Sequence, residues 1–298
     1  MSSLAGAHAP VSHAPLKGIG LTLLACAMFA LLDSATKFTG QALSLLMVLW
    51  LRFLAQALVT SAMVFPRMGW QALRTQHPKF QCSRALFGIG TSVFAFFCIQ
   101  SMPLGNFTAI WAASPLAVVV VSALVFRERV SWQRWLLLLV GLLCVVVIVR
   151  PERSDQELGW LALLPLALVA CGTGYLLLGS RLARLDRPET TQLYSTWLPF
   201  LVLTPLFPWF IQPVWGWPLW GAIAAMGILS GVGHLLLLQA YTHTTPSVVS
   251  PFLYSQIGFA MLVGWLLFGQ QPDLQSLLGM TGVVLCGLAS IALTAKGR

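Results

Sequence analysis

Asp33, Lys37, Arg52 and His234 are ionisable residues inside long apolar runs of this 298-residue chain. A charge at the centre of a bilayer costs on the order of 2.5–3.5 kcal/mol, so each of these needs a partner or a purpose. Asp33 and Lys37 are four residues apart and share one helical face. At about 1.5 Å per residue, Asp33 lies about 7 Å and Arg52 about 12 Å below the same end of their runs. The three can therefore meet in one network. Two chemistries fit: an Asp33–Arg52 ion pair that locks two helices together, or Asp33 as a cation or proton site. His234, within Gly231-Val232-Gly233-His234-Leu235, can titrate near neutral pH and relay a proton. Alternatively it is a neutral histidine hydrogen-bonded within its helix.

Neutral residues form a second group. Asn106, Trp111 and Ser114 precede Pro115, while Tyr254 and Gln256 follow Pro251. Amide and hydroxyl groups at that density suit the polar part of a small molecule. The aromatic rings suit its apolar part, and their faces attract an amine by cation–π contact. Each proline frees a helical carbonyl, which either supplies an acceptor to a cavity or merely accompanies a packing bend. Tyr175, Tyr194, Trp197, Trp50 and Gln100 are lining candidates of second rank. Enzymatic chemistry finds no support, since there is no GxxxxGK[ST] loop, no metal-ligand spacing and no nucleophile–base arrangement. Catalytic residues, metal and cofactor are accordingly all expected to be absent. The six cysteines are scattered without a CxxC and read as small apolar residues.

The elements that position these residues follow from composition. The chain is 58% hydrophobic and 8% charged, with a mean hydropathy of +0.83. Soluble domains are about 25% charged, so this is an integral membrane protein. Bilayer-crossing helices need about 20 apolar residues, and ten runs qualify: 18–38, 44–65, 83–100, 105–126, 131–149, 159–183, 190–211, 218–241, 246–268 and 274–295. Their continuity excludes the alternating pattern of a barrel, so the expected fold is all-α. Lys and Arg divide thirteen to three between the two sides, with Arg84 counted in the loop before the third run. That asymmetry places both termini in the cytoplasm. The net charge of +9 thus orients helices and implies no nucleic-acid partner. Residues 1–16, with no Lys or Arg and two Ala-Pro pairs, are expected to form a disordered tail.

Shifting the chain by 142 residues lays runs one to five on runs six to ten. Glu128 then falls on Gln270, and the basic loops 66–84 and 127–134 fall on segments without Lys or Arg. Five being odd, the second copy must enter from the opposite face, and the lost charge is what an inverted repeat requires.

At these residues the chain resembles the EamA-type members of the drug/metabolite transporter superfamily. The resemblance rests on Met102-Pro103-Leu104-Gly105-Asn106-Phe107-Thr108-Ala109, Ser114-Pro115-Leu116, Phe126-Arg127-Glu128-Arg129 and Gly141 with Arg150-Pro151. Leu31-Leu32-Asp33-Ser34-Ala35-Thr36-Lys37 and Trp50-Leu51-Arg52-Phe53 resemble the branch that moves amino acids and amines. Gly269-Gln270-Gln271 departs from the Gly-Glu pair common in the family. The resemblance implies two five-helix repeats, 17–150 and 159–295, in a bacterial inner membrane. It further implies secondary active transport by alternating access, with export of amino acids, amines or related metabolites. The alternatives are import of a vitamin or adenosyl metabolite on the same fold, or a membrane protein that transports nothing. The partners implied are a small-molecule substrate, the lipid bilayer and protons as the candidate coupling ion, in a monomer or homodimer. The substrate is expected at the midplane between runs four and nine, on Asn106, Trp111, Ser114, Tyr254 and Gln256.

Overall fold

The computed structural model describes residues 14–101, 130–149 and 163–268, with single positions between 111 and 123 and between 274 and 293. Every regular element among the described residues is helical. Helix α1 spans Pro15–Gly40, α2 Leu45–Met68, α3 Pro78–Ser101 and α4 Trp132–Val149. Then come α5 (Leu163–Leu185), α6 (Pro188–Leu203), α7 (Trp217–His243), α8 (Pro246–Leu253) and α9 (Ser255–Phe268). Proline opens α1, α3, α6 and α8, where a missing N–H costs no intrahelical bond and the fixed φ favours the first turn.

Proline also divides two of the expected spans. After α6 the chain passes through a 3₁₀ turn, Thr204–Leu206, into the short helical turn Phe207–Phe210. Pro205 and Pro208 cannot donate the bonds that would continue α6. The span expected over 246–268 breaks at Tyr254, three residues beyond Pro251. Of the carbonyls at that break, Phe252 O accepts from Ser255 Oγ at 2.6 Å and from the Cys26 thiol at 3.7 Å. Leu253 O accepts from Cys26 as well. These acceptors hold α1 to the break. Runs four and ten and the segment 150–162 lie outside the described residues except for single helical positions. Helix α1 already begins at Pro15, so residues 15 and 16 are not part of a tail.

The packing carries the repeat. Helix α1 lies against α7, and α3 lies against α5; α2 lies against α7, and α3 against α6. Under the 142-residue shift α1 corresponds to α5, α2 to α6 and α3 to α7. The shift therefore exchanges the members of each of these two pairs of interfaces. The α2–α6 interface maps onto itself and marks the junction of the two halves. Small residues permit the closest approach. A Cβ on Gly227 would come within 2.8 Å of the Ala55 backbone, and one on Gly233 within 2.8 Å of the Phe29 ring.

The outside of the bundle is apolar. Leu58, Leu86, Leu143, Leu201 and Leu266 are all exposed, as a hydrocarbon solvent allows. Four stretches among the described residues are long and apolar enough to cross a bilayer: Pro15–Gly40, Leu45–Leu73, Trp217–His243 and Val248–Leu267. Highly exposed tryptophans gather at helix ends, with Trp70 and Trp132 in one set and Trp209, Trp215 and Trp217 in the other. Such rings sit at the headgroup level of membrane proteins.

Candidate functional site

The helices of both halves surround a cavity of about 170 Å³ that opens at its mouth. Helix α1 contributes Phe29 and Asp33, α2 contributes Arg52 and Gln56, and α3 contributes Thr91 and Ser92. From the other half come Tyr175 of α5, Ser195 of α6, His234 of α7, and Tyr254 and Gln256 at the break between α8 and α9. Trp111 closes the lining. The walls are mostly apolar, with few polar groups pointing inward, the usual character of a small-molecule site.

Gln256 Nε2 donates to Asp33 Oδ2 at 3.0 Å, joining residues 223 apart in sequence across the two halves. Asp33 and Arg52 share the cavity and feel each other's charge, yet they are not within the 4 Å of an ion pair. Instead, Arg52 keeps a buried Nε without a hydrogen-bond partner. The ion pair that would lock the first two helices together is therefore absent, and Gln256 donates to the carboxylate instead. His234 Nδ1 lies 2.8 Å from Ser230 O, one turn back in its own helix. A carbonyl only accepts, so Nδ1 carries the proton. The imidazole is wedged between Phe29, 4.7 Å between centroids, and Tyr175 at 5.8 Å.

Arg84, which the sequence reading assigned to a loop, is 2% exposed. Helix α3 begins at Pro78, one and a half turns before it, and carries it into the bundle. Its guanidinium carbon stands 4.0 Å from the Tyr175 ring centroid, and Nη1 donates to Ser195 Oγ. Its Nε is buried without a partner. The thirteen-to-three division of Lys and Arg becomes twelve to three, and the asymmetry survives. No signal in the sequence distinguishes Arg84 from its neighbours Lys79 and Arg74, since its helical register against α5 and α6 is a tertiary matter.

The other expected site residues divide. Trp111, Tyr254 and Gln256 line the cavity together with Asp33, Arg52 and His234. Tyr254 is only 1% exposed and packs with Leu138 and Ile257, so it is a core residue as well as a wall. Ser114 is a correction: it is fully buried, does not line the cavity, and its Oγ has no partner. It lies beside Gly172, whose missing side chain makes room for the Trp111 ring. Lys37 is not among the lining residues, and Asn106 lies outside the described residues. Of the second rank, Tyr175 lines the cavity. Trp50 donates to Thr204, Trp197 to Ser61 and Tyr194 to Leu73 O, all as ties between α2 or its extension and the α6 region. Gln100 has no described side chain.

One end of the bundle is closed by polar contacts between the halves. Asp186, in the corner between α5 and α6, accepts from Thr75 and from Gln81 Nε2, the latter at 2.8 Å. His77 Nδ1 lies 3.6 Å from the same carboxylate. Gln81 also donates to Thr191. Among the described residues there is no cluster of groups that would hold a metal.

An apolar-surfaced bundle of two exchangeable halves around a shared, mostly apolar cavity with a few inward polar groups is the architecture of a multi-pass membrane transporter. Sequence comparison names the family: residues 16–150 and again 158–293 match the EamA-like transporter family. The chain belongs to that family, whose characterised relatives here are transporters, not enzymes. It is 27% identical over 282 residues to the riboflavin transporter of Vibrio cholerae, covering 92% of this chain and 93% of the relative. To the pseudopaline exporter CntI of Pseudomonas aeruginosa it is 28% identical, covering 94% and 97%. To the S-adenosylmethionine uptake transporter of Rickettsia felis it is 22% identical, covering 90% of each. A solved crystal structure shares the fold with a TM-score of 0.77 at 19% identity, over 95% of this chain and 98% of that one.

Proposed function

We propose that this chain is a secondary active transporter that moves one small amphipathic, ring-bearing metabolite per cycle by alternating access. The observation that carries the reading is a single cavity lined from both halves, with its one end tied shut across those halves by Asp186 and its partners. Rocking one half against the other would break those contacts while keeping the cavity residues within reach of a bound molecule. Phe29, Trp111 and Tyr175 supply flat apolar surface, and Asp33 with Gln256 supplies a polar anchor to which an amine could add.

Two directions stay in play, each with a supporting relative. Export of amino acids or amines is the expectation from sequence, and the pseudopaline exporter favours outward movement. Import of a vitamin or adenosyl metabolite is favoured by the relatives named for riboflavin and for S-adenosylmethionine uptake. The topology proposed with either is a bacterial inner-membrane protein with cytoplasmic termini. The two halves are proposed as 17–150 and 159–295, and protons as the coupling ion, with Asp33 as the titrating group.

Counterflow in proteoliposomes tests the reading. Labelled riboflavin, S-adenosylmethionine and aromatic amino acids are offered with and without a pH gradient. Saturable exchange of one class, lost in Trp111→Ala while the protein stays folded, is expected. Absence of exchange for every compound in both gradient directions would remove the proposal.

A further inference from the structure

Among the described residues the charged groups of the cavity do not balance. Asp33 is the one carboxylate among the described lining residues, and it already holds Gln256. Against it stand two guanidinium groups, Arg52 on the wall and Arg84 directly behind Tyr175 and Ser195. Neither forms an ion pair within 4 Å, and each has a buried Nε with no hydrogen-bond partner. The Tyr175 ring lies against the Arg84 guanidinium and lines the same cavity as Arg52. A guanidinium N–H buried without an acceptor is costly, and Arg52, half-buried on the wall of an open cavity with no hydrogen-bond acceptor of its own, is poised for one from outside the protein.

Resting on the reading of this cavity as the substrate site, we infer that Arg52, backed by Arg84, is a subsite for the carboxylate of an aromatic substrate. Guanidinium pairs two-point with carboxylate as it does with phosphate; the flat walls of Phe29, Tyr175 and Trp111 are what select an aryl carboxylate over inorganic phosphate. Arg84 contributes fixed positive charge and holds Tyr175 and Ser195 in place. It does not line the cavity, so its role is positioning. Phe29, Tyr175 and Trp111 then receive the ring. The carboxylate brings the cavity's net charge to zero, and a substrate amine, where there is one, faces Asp33.

Equilibrium binding to the purified full-length protein in a neutral detergent tests the subsite. Melting temperature is titrated with benzoate and benzamide, with indole-3-acetate and indole-3-acetamide, and with inorganic phosphate. The expected result is that each acid binds about tenfold or more tightly than its amide, the ratio a charge-assisted hydrogen-bond pair provides. Arg52→Gln should abolish that preference, and Arg52→Lys should retain part of it. The inference is overturned if acid and amide shift the melting temperature equally. Failure of every acid to bind, survival of the preference in Arg52→Gln, or phosphate binding as tightly as the acids would overturn it too. The acid–amide comparison on the unmodified protein stands even where an Arg52 variant does not fold. Acid binding without any counterflow would remove the transport reading and leave the subsite in place.

Discussion

Replacing Asp186 by alanine should loosen one end of the bundle and leave the rest intact. The carboxylate accepts two hydrogen bonds, from Thr75 and Gln81, and lies 3.6 Å from His77 Nδ1. Hydrogen bonds to a charged acceptor contribute about 1.5–3 kcal/mol each. Thr75 is half-buried and Gln81 fully buried; with the lower figure taken for each, the two together contribute about 3 kcal/mol. His77 is 31% exposed, and an ion pair with such solvent access adds little. At 1.4 kcal/mol per factor of ten, the equilibrium between the closed and open forms of this end moves by about a hundredfold. Hydrogen–deuterium exchange reads it directly. Amides of 82–88 in α3 and 192–198 in α6 should lose about a hundredfold in protection. Those in α7 and α9 should hold theirs, since the Asp186 carboxylate bonds to Thr75 and Gln81, lies 3.6 Å from His77 and bonds to neither of these helices. Asp186→Asn, which keeps one acceptor oxygen, should fall between. Unchanged protection in both segments, or an equal loss in every helix, would refute the idea that these contacts form a local closure.

Two further outcomes are expected. Tyr254→Ala should lower stability by about 3–5 kcal/mol, the usual cost of emptying a buried aromatic site, because its ring packs on Leu138 and against Gly141. Gln256→Leu, in contrast, should melt near the parent temperature and change substrate binding, since it removes only the donor to Asp33; parallel melting and counterflow curves separate the two. With native cysteines replaced, a single cysteine at residue 76 should react with an impermeant maleimide from the cytoplasmic side only, and labelling from outside would invert the proposed topology.

The sequence by itself determined the class and the repeat. Hydrocarbon admits backbone only as helices or closed barrels, so apolar runs such as 18–38 and 218–241 had no other means of crossing. The 142-residue offset was legible because the two halves differ in loop charge in the sense that opposite entry requires. Asp33, Arg52, His234 and Gln256 were legible as site candidates because charged and strongly polar groups inside apolar runs are few, and Trp111 because it stands among polar residues before Pro115. What each one contacts was decided only by the tertiary structure. Asp33 and Arg52 are 19 residues apart and at similar depth, yet the carboxylate went to Gln256, 223 residues away. Depth along a helix follows from counting residues, whereas the direction a side chain faces depends on rotation about the helix axis, which the packing of α1 against α7, α8 and α9 sets. Ser114 faces α5 for the same kind of reason, since Gly172 leaves the space there. Arg84 shows the limit most plainly. Its neighbours in sequence are loop-like and basic, but an earlier helix start at Pro78 and the fit of α3 against α5 and α6 turned it inward. Rotation and register are fixed by contacts between distant segments, and no local pattern of residues encodes them.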